Sequence, residues 1–124
     1  MTIRRVVPNF RSAAPAESRA FYVDFLGFDV GMDMGWIVTF VSTDNPTAQL
    51  SIISEDPRAH IHPDCSVQVS DVSALYDRAL AQGMDVVYPM TDEPWGVRRF
   101  FVTDPNGRVI NVLQHIEAGS PQDG

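Results

Sequence analysis

The chain repeats itself. Gly27-Phe28-Asp29-Val30 returns as Gly83-Met84-Asp85-Val86, and Phe40-Val41-Ser42-Thr43-Asp44 returns, more loosely, as Phe101-Val102-Thr103-Asp104. The copies lie roughly 55–60 residues apart, longer than the usual solenoid period. Two copies fill the 124 residues, so the repeat implies one fold built from two similar halves. Two facing halves leave a groove between them, and a site is expected there.

The pattern inside each copy is the same. Ile3 to Phe10 is rich in β-formers and reads as a strand. Ser12-Ala13-Ala14-Pro15 opens a predicted helix, with Pro15 tolerated in its first turn. The pairs Phe21/Phe25 and Tyr22/Leu26 give that helix an apolar stripe, and Gly27 stops it. Strands are expected over Phe28 to Asp33, Trp36 to Ser42 and Ala48 to Ser54. Glu55 to Pro63, with two prolines and two histidines, reads as the linker. Then the pattern restarts: a strand over Ser66 to Ser70, and a helix from the Asp71 cap to Gln82. Further strands follow over Met84 to Tyr88, Val97 to Thr103 and Arg108 to His115, with Asp104-Pro105-Asn106-Gly107 as the last tight turn. Each half is β-α-β-β-β, an α+β fold. Module one spans about residues 1–56, the linker about 57–63 and module two about 64–116; the polar tail 117–124 is expected to be flexible.

Composition narrows the partners. A net charge of −7 argues against nucleic acid, whose phosphates need a basic surface, and would draw a cationic ligand. No apolar run is long enough for a membrane span, and Met1 to Arg5 has no signal-peptide stretch. With the single Cys65, which excludes an internal disulfide, this leads to an expected cytoplasmic location. Cys65 reads as a small filler rather than a nucleophile. No Gly-x-Ser-x-Gly elbow or Gly-rich phosphate loop is present.

Several segments carry a family likeness: Ala20-Phe21-Tyr22 with Phe25-Leu26-Gly27-Phe28, then Val69-Ser70-Asp71-Val72, and above all Glu93-Pro94-Trp95-Gly96 followed by Phe100 to Gly107. With these the chain resembles the glyoxalase / bleomycin-resistance / extradiol dioxygenase superfamily, the vicinal oxygen chelate fold, and most of all its drug-binding branch. The resemblance implies two tandem βαβββ modules whose cupped mixed sheets enclose a cleft. It also implies a homodimer in which halves from different chains form two clefts.

Metal-dependent members place His, Gln or Glu on cleft-facing strands. The matching positions here fall at Val7, at Gln49 or Ser51, at Asp64 or Ser66, and at Asn111. Valine cannot ligate, neutral amides and serine are poor ligands, and only Asp64 could serve well. The expectation is therefore no metal and no cofactor. His60, His62 and Asp64, an alternating donor set if extended, are the alternative metal site.

Strand alternation assigns the cleft. Taking the Asn111 face inward brings in Val109, Leu113 and His115, the last either looking into the cleft or exposed at the strand end, with Arg5, Val7 and Asn9 from the first strand and Gln49, Ser51, Ser66 and Gln68 from others. The opposite face takes Val6, Leu50, Ile52, Val67, Val69, Ile110 and Val112. Trp95 shares a face with Val97 and Arg99, although which of Arg98 and Arg99 enters the cleft is left open. Trp36 is expected near the mouth; both indoles either stack a planar ligand or simply bury apolar area. Met32 and Met34 flank a hairpin and read as exposed turn residues, with adaptable lining as the alternative, and Phe40 and Phe101 as repeat-equivalent core. The leading expectation is metal-free binding and sequestration of an aromatic antibiotic or natural product, cationic if the acidic balance selects it. The alternatives are a metal-dependent enzyme of the same fold and an accessory protein binding a metabolite.

Overall fold

Alternating apolar and polar residues make strands with one greasy and one mixed face, and the described residues hold eight. The structure, a computed structural model, describes residues 1–116. The tail expected over 117–124 lies outside the described residues. The first half runs β1 (Ile3–Arg11), a 3-10 turn (Pro15–Ser18), a π-helical segment (Ala20–Phe25), β2 (Asp29–Asp33), β3 (Ile37–Val41) and β4 (Gln49–Ile53). The second runs β5 (Cys65–Val69), α1 (Val72–Ala81), β6 (Val86–Glu93), β7 (Val97–Thr103) and β8 (Val109–His115).

All eight strands join one sheet in the order β2-β3-β4-β1-β5-β8-β7-β6. In each half the first strand pairs in parallel with the last, β1 with β4 and β5 with β8. The halves meet along the antiparallel β1–β5 pair, where Val7 sits opposite Ser66. The sheet curls so far that Trp36 and Trp95, from opposite halves, come within 5.6 Å.

Each half packs its greasy face separately. Val69, Val72, Ala79, Phe100 and Val112 form one cluster under α1, with Leu75 and Tyr76 against it. Val38, Phe40 and Ile52 form the other, with Tyr22, Val23 and Leu50 against it. Val6, expected on this packed face, is exposed, because it belongs to neither cluster and lies on the seam strand between them.

Three further expectations need correction. The first helix is not a regular α-helix. It has no capping side chain, and Pro15 at its start removes one N–H. The wide turn that follows seats the neighbours Tyr22 and Val23 on the core, with Tyr22 stacked on Phe40 at 5.1 Å. It leaves Phe21, Phe25 and Leu26 exposed, so three of the four residues of the predicted stripe face outward. Gly27 does end the segment at φ +92°. Phe40 and Phe101 are both fully buried, but they are not structural counterparts. Phe40 stands opposite Leu50 and Phe100 opposite Val112, each in its own core cluster, whereas Phe101 packs on Tyr88 and Arg99 on the other face. The looser copy is one residue shorter, and the alignment slips by that residue. β6 also outruns its expected end: it passes through Pro89, tolerated on an edge strand and absorbed by a register shift between Tyr88 and Thr91.

Candidate functional site

The mixed face of the curled sheet encloses a cavity of about 650 Å³. Its floor is the middle of the sheet. Asn9 comes from β1, Gln49 and Ser51 from β4, Gln68 from β5, and Asn111, Leu113 and His115 from β8. Trp36, just before β3, and Trp95, just before β7, supply the aromatic wall beside Arg99. Every residue that alternation sent inward lines this space except Val109, whose backbone N–H instead bonds Asp64 Oδ2 at 2.8 Å.

The floor is a hydrogen-bonded polar band. Asn9 Nδ2 and Asn111 Nδ2 both donate to Ser66 Oγ, at 2.9 and 3.0 Å. Thr39 and Ser51 share a buried hydroxyl pair at 2.7 Å. Asn111 Oδ1 is buried and has no hydrogen-bond partner among the described residues. A buried acceptor left unpaired costs about 1–3 kcal/mol, so this atom favours a donor brought in from the cavity.

Two arginines line the cavity, in opposite states. Arg99 is 3% exposed. Its Nη1 and Nη2 donate to Asp56 Oδ2 and Oδ1 at 2.8 and 3.0 Å, and its Nε donates to Glu93 Oε2 at 2.7 Å. Tyr88 Oη adds a bond to Glu93 at 2.8 Å, and the guanidinium lies about 5 Å from the rings of Trp95, Phe101 and Tyr88. Burial pulls the Arg99 guanidinium down, but Asp56 and Glu93 outweigh it and raise it above its ordinary value. Burial pushes the Asp56 carboxyl up, yet the Arg99 bonds and the Ala59 and Arg58 amides hold it below its usual range. Arg99 is thus a structural cation on the cavity wall. Arg98 points the other way and pairs with exposed Asp92 at 2.7 Å.

Arg5 stands at the far side of the floor, half-buried. It donates from Nη1 to Gln49 Oε1 at 2.9 Å, and its Nη2 lies 3.1 Å from His115 Nε2, which must accept because a guanidinium only donates. Burial lowers its pKa, and it stays charged at neutral pH.

Sequence reasoning missed several wall residues. Met32, which is exposed as expected, and Met34 border the cavity with Gly31, Asp33 and Pro94. A register shift between Val30 and Met32 breaks the alternation on β2, and Gly31 lies so close to β3 that a Cβ there would sit 3.0 Å from Val41. Ile37 and Thr39 were legible: Phe40 in the core sends its neighbours to the other face. Asp56 carried no signal, because its partner Arg99 is 43 residues away.

The alternative metal set does not assemble. His60 adopts φ +56°, which breaks the extended alternation it needs, and its Nδ1 lies 3.1 Å from Glu55. Asp64 is spent on the Val109 amide, and His62 Nδ1 is buried without a partner among the described residues. No three His, Cys, Asp or Glu side chains form a metal-holding group among the described residues. Of the positions that the resemblance implies for a metal, Val7, Ser66 and Asn111 stand side by side on the floor, Gln49 and Ser51 also line it, and Asp64 is turned to the Val109 amide. An alkyl chain, hydroxyls and amides do not make a divalent-metal site. Burial raises the Cys65 thiol above its ordinary value, so it is not an activated nucleophile.

The family model for the Glyoxalase/Bleomycin resistance protein/Dioxygenase superfamily matches residues 6–112. The chain belongs to this superfamily. No curated protein sequence matches it. Among solved structures it is similar to one described as the NAD-dependent benzaldehyde dehydrogenase of Legionella pneumophila, at 18% identity and TM-score 0.71 over 89% of this chain and 98% of that one. A glyoxalase/bleomycin resistance protein/dioxygenase superfamily member from Vibrio splendidus 12B01 gives 21% identity and TM-score 0.68, over 91% and 99%. The methylmalonyl-CoA epimerase of Streptomyces coelicolor, solved as a variant in complex with 2-nitronate-propionyl-CoA, gives 15% and 0.69, over 92% and 99%. At these identities the likeness is one of fold.

Proposed function

We propose that the chain binds and sequesters a planar aromatic small molecule, of the antibiotic or natural-product class, in this cavity without a metal, and so confers resistance or self-protection. The observation that carries this reading is the pair Trp36 and Trp95, one indole from each half, tilted at 58° and closing the aromatic side of the cavity. Rings of this kind give a planar ligand a large stacking area at small entropic cost. The polar floor supplies hydrogen bonds for orientation, and a cavity of about 650 Å³ falls within the range of small-molecule sites. Residues of both halves line it. The membership of the drug-binding branch that the Pro94-Trp95-Gly96 segment implies is part of this proposal.

The test is a tryptophan-fluorescence titration of the metal-stripped protein. The panel holds bleomycin, mitomycin, an anthraquinone-type enediyne and a methylglyoxal–glutathione adduct. Saturable quenching by a drug without metal is the expected result. Quenching only after a divalent metal is added would overturn the reading in favour of a metal-dependent enzyme. Trp95→Ala should weaken ligand binding by about 1–3 kcal/mol, and unchanged affinity would make Trp95 a purely structural residue.

A further inference from the structure

The charge of the whole chain and the charge inside the cavity favour opposite ligands. The net charge of −7 draws cations from a distance. Inside, the charged lining groups are Arg5, Arg99 and Asp33, beside the ionisable His115. Arg99 is matched by Asp56 and Glu93. Asp33 stands on the exposed rim with its Oδ1 accepting from the Gly35 amide at 2.9 Å. Arg5 has no carboxylate partner among the described residues; it meets only the Gln49 amide and the His115 ring. A half-buried guanidinium that has lost hydration and gained only neutral acceptors is a cation awaiting its anion.

Strand register sets the length of that anion's carrier. Arg5 pairs with Gln68, Gln68 with Leu113, and Leu113 with Arg99, in one row across four strands. Three strand spacings make roughly 14 Å along the sheet, shortened by its curl. Trp95 lies over Arg99 at the far end of that row, 5.0 Å from its guanidinium. Two or three fused rings with one acidic substituent fill this span.

We propose that the ligand is a planar aromatic acid, with its rings against Trp36 and Trp95 and its carboxylate on the guanidinium of Arg5. This inference rests on the ligand-binding function proposed above and names the substrate class of the same site. A hydroxyl or N–H on the ring system would also satisfy Asn111 Oδ1.

The experiment uses three anthraquinones substituted at one common ring position with carboxylate, hydroxymethyl or aminomethyl, titrated against the full chain by tryptophan quenching. The carboxylate should bind about ten-fold tighter than the hydroxymethyl compound, the discrimination expected of a charge-assisted hydrogen bond. The aminomethyl compound should bind weakest. In Arg5→Met the ratio of carboxylate to hydroxymethyl affinity should collapse to near one. Arg5→Lys should retain part of it, and the control Arg98→Met, on the outer face, should keep it whole. Binding of the hydroxymethyl compound with no carboxylate preference in the native chain overturns this inference and leaves the proposed function standing. A preference that survives Arg5→Met overturns it too. Failure of all three rings, together with the drug panel, overturns the proposed function and this inference with it.

Discussion

Arg99 and Arg5 line one cavity, and the difference between them separates what holds the site from what the site offers. Arg99 sits between two carboxylates that are 2% and 1% exposed, Asp56 and Glu93. Asp56 comes from the segment between the halves and Arg99 from the second half, so the pair also anchors that segment to the wall. Arg5 is more open and meets neutral partners. A buried cation with matched anions is spent on structure; one left facing neutral groups keeps its charge for a ligand. Position in the cavity is therefore a poor guide to function until the partners of each charge are counted.

The largest expected effect breaks the Arg99 side. Arg99→Met leaves Asp56 buried without its counter-ion and Glu93 with only Arg58, 3.5 Å from its Oε1, and should cost about 3–5 kcal/mol, read as a shift in the denaturant midpoint. An unchanged midpoint would mean the network is incidental. Asp56→Asn should cost less, since Glu93 still pairs with Arg99. It also tests the pH dependence. The Asp56 carboxyl is depressed in the folded state: burial raises it, and Arg99 with the amides of Ala59 and Arg58 lowers it further. Its contribution is therefore present above the ordinary carboxylate value near about pH 4 and is lost as pH falls through the folded value. Acid unfolding of the native chain should be steeper below that point than acid unfolding of Asp56→Asn.

Smaller effects sharpen the contrast. Asp71→Ala removes the cap that accepts from the Ala74 amide at 3.1 Å and should cost about 1 kcal/mol by thermal or denaturant unfolding. Arg5→Met should change stability by less than about 1 kcal/mol; a loss as large as that of Arg99→Met would make both arginines structural. Phe25→Ser, at a side chain 74% exposed, should stay within about 0.5 kcal/mol in the isolated chain.

Much of this was legible beforehand. The repeat implied two like halves, and both show the same parallel pairing of first and last strand. Alternation placed Asn9, Gln49, Ser51, Gln68, Asn111, Leu113 and His115 on the cavity face because sheet geometry leaves a strand residue only two directions. It failed where the backbone departs from a regular strand: at the β2 shift, where Gly31, Met32 and Asp33 all border the cavity, and at His60, whose positive φ dismantles the His60, His62 and Asp64 set. It failed again at the first helix, where the apolar stripe was real but the turns were not those of an α-helix.

The sequence by itself determined the class of fold, the two-half plan and which strand face is polar, because these follow from local periodicity. Only the tertiary structure decided which cavity cation is matched by carboxylates and which is not. Charge pairing depends on groups brought together from distant positions, such as Asp56 with Arg99, and on the depth at which water is withdrawn from them. No pattern along the chain carries that information, since the energy of a charge is set by its neighbours in space.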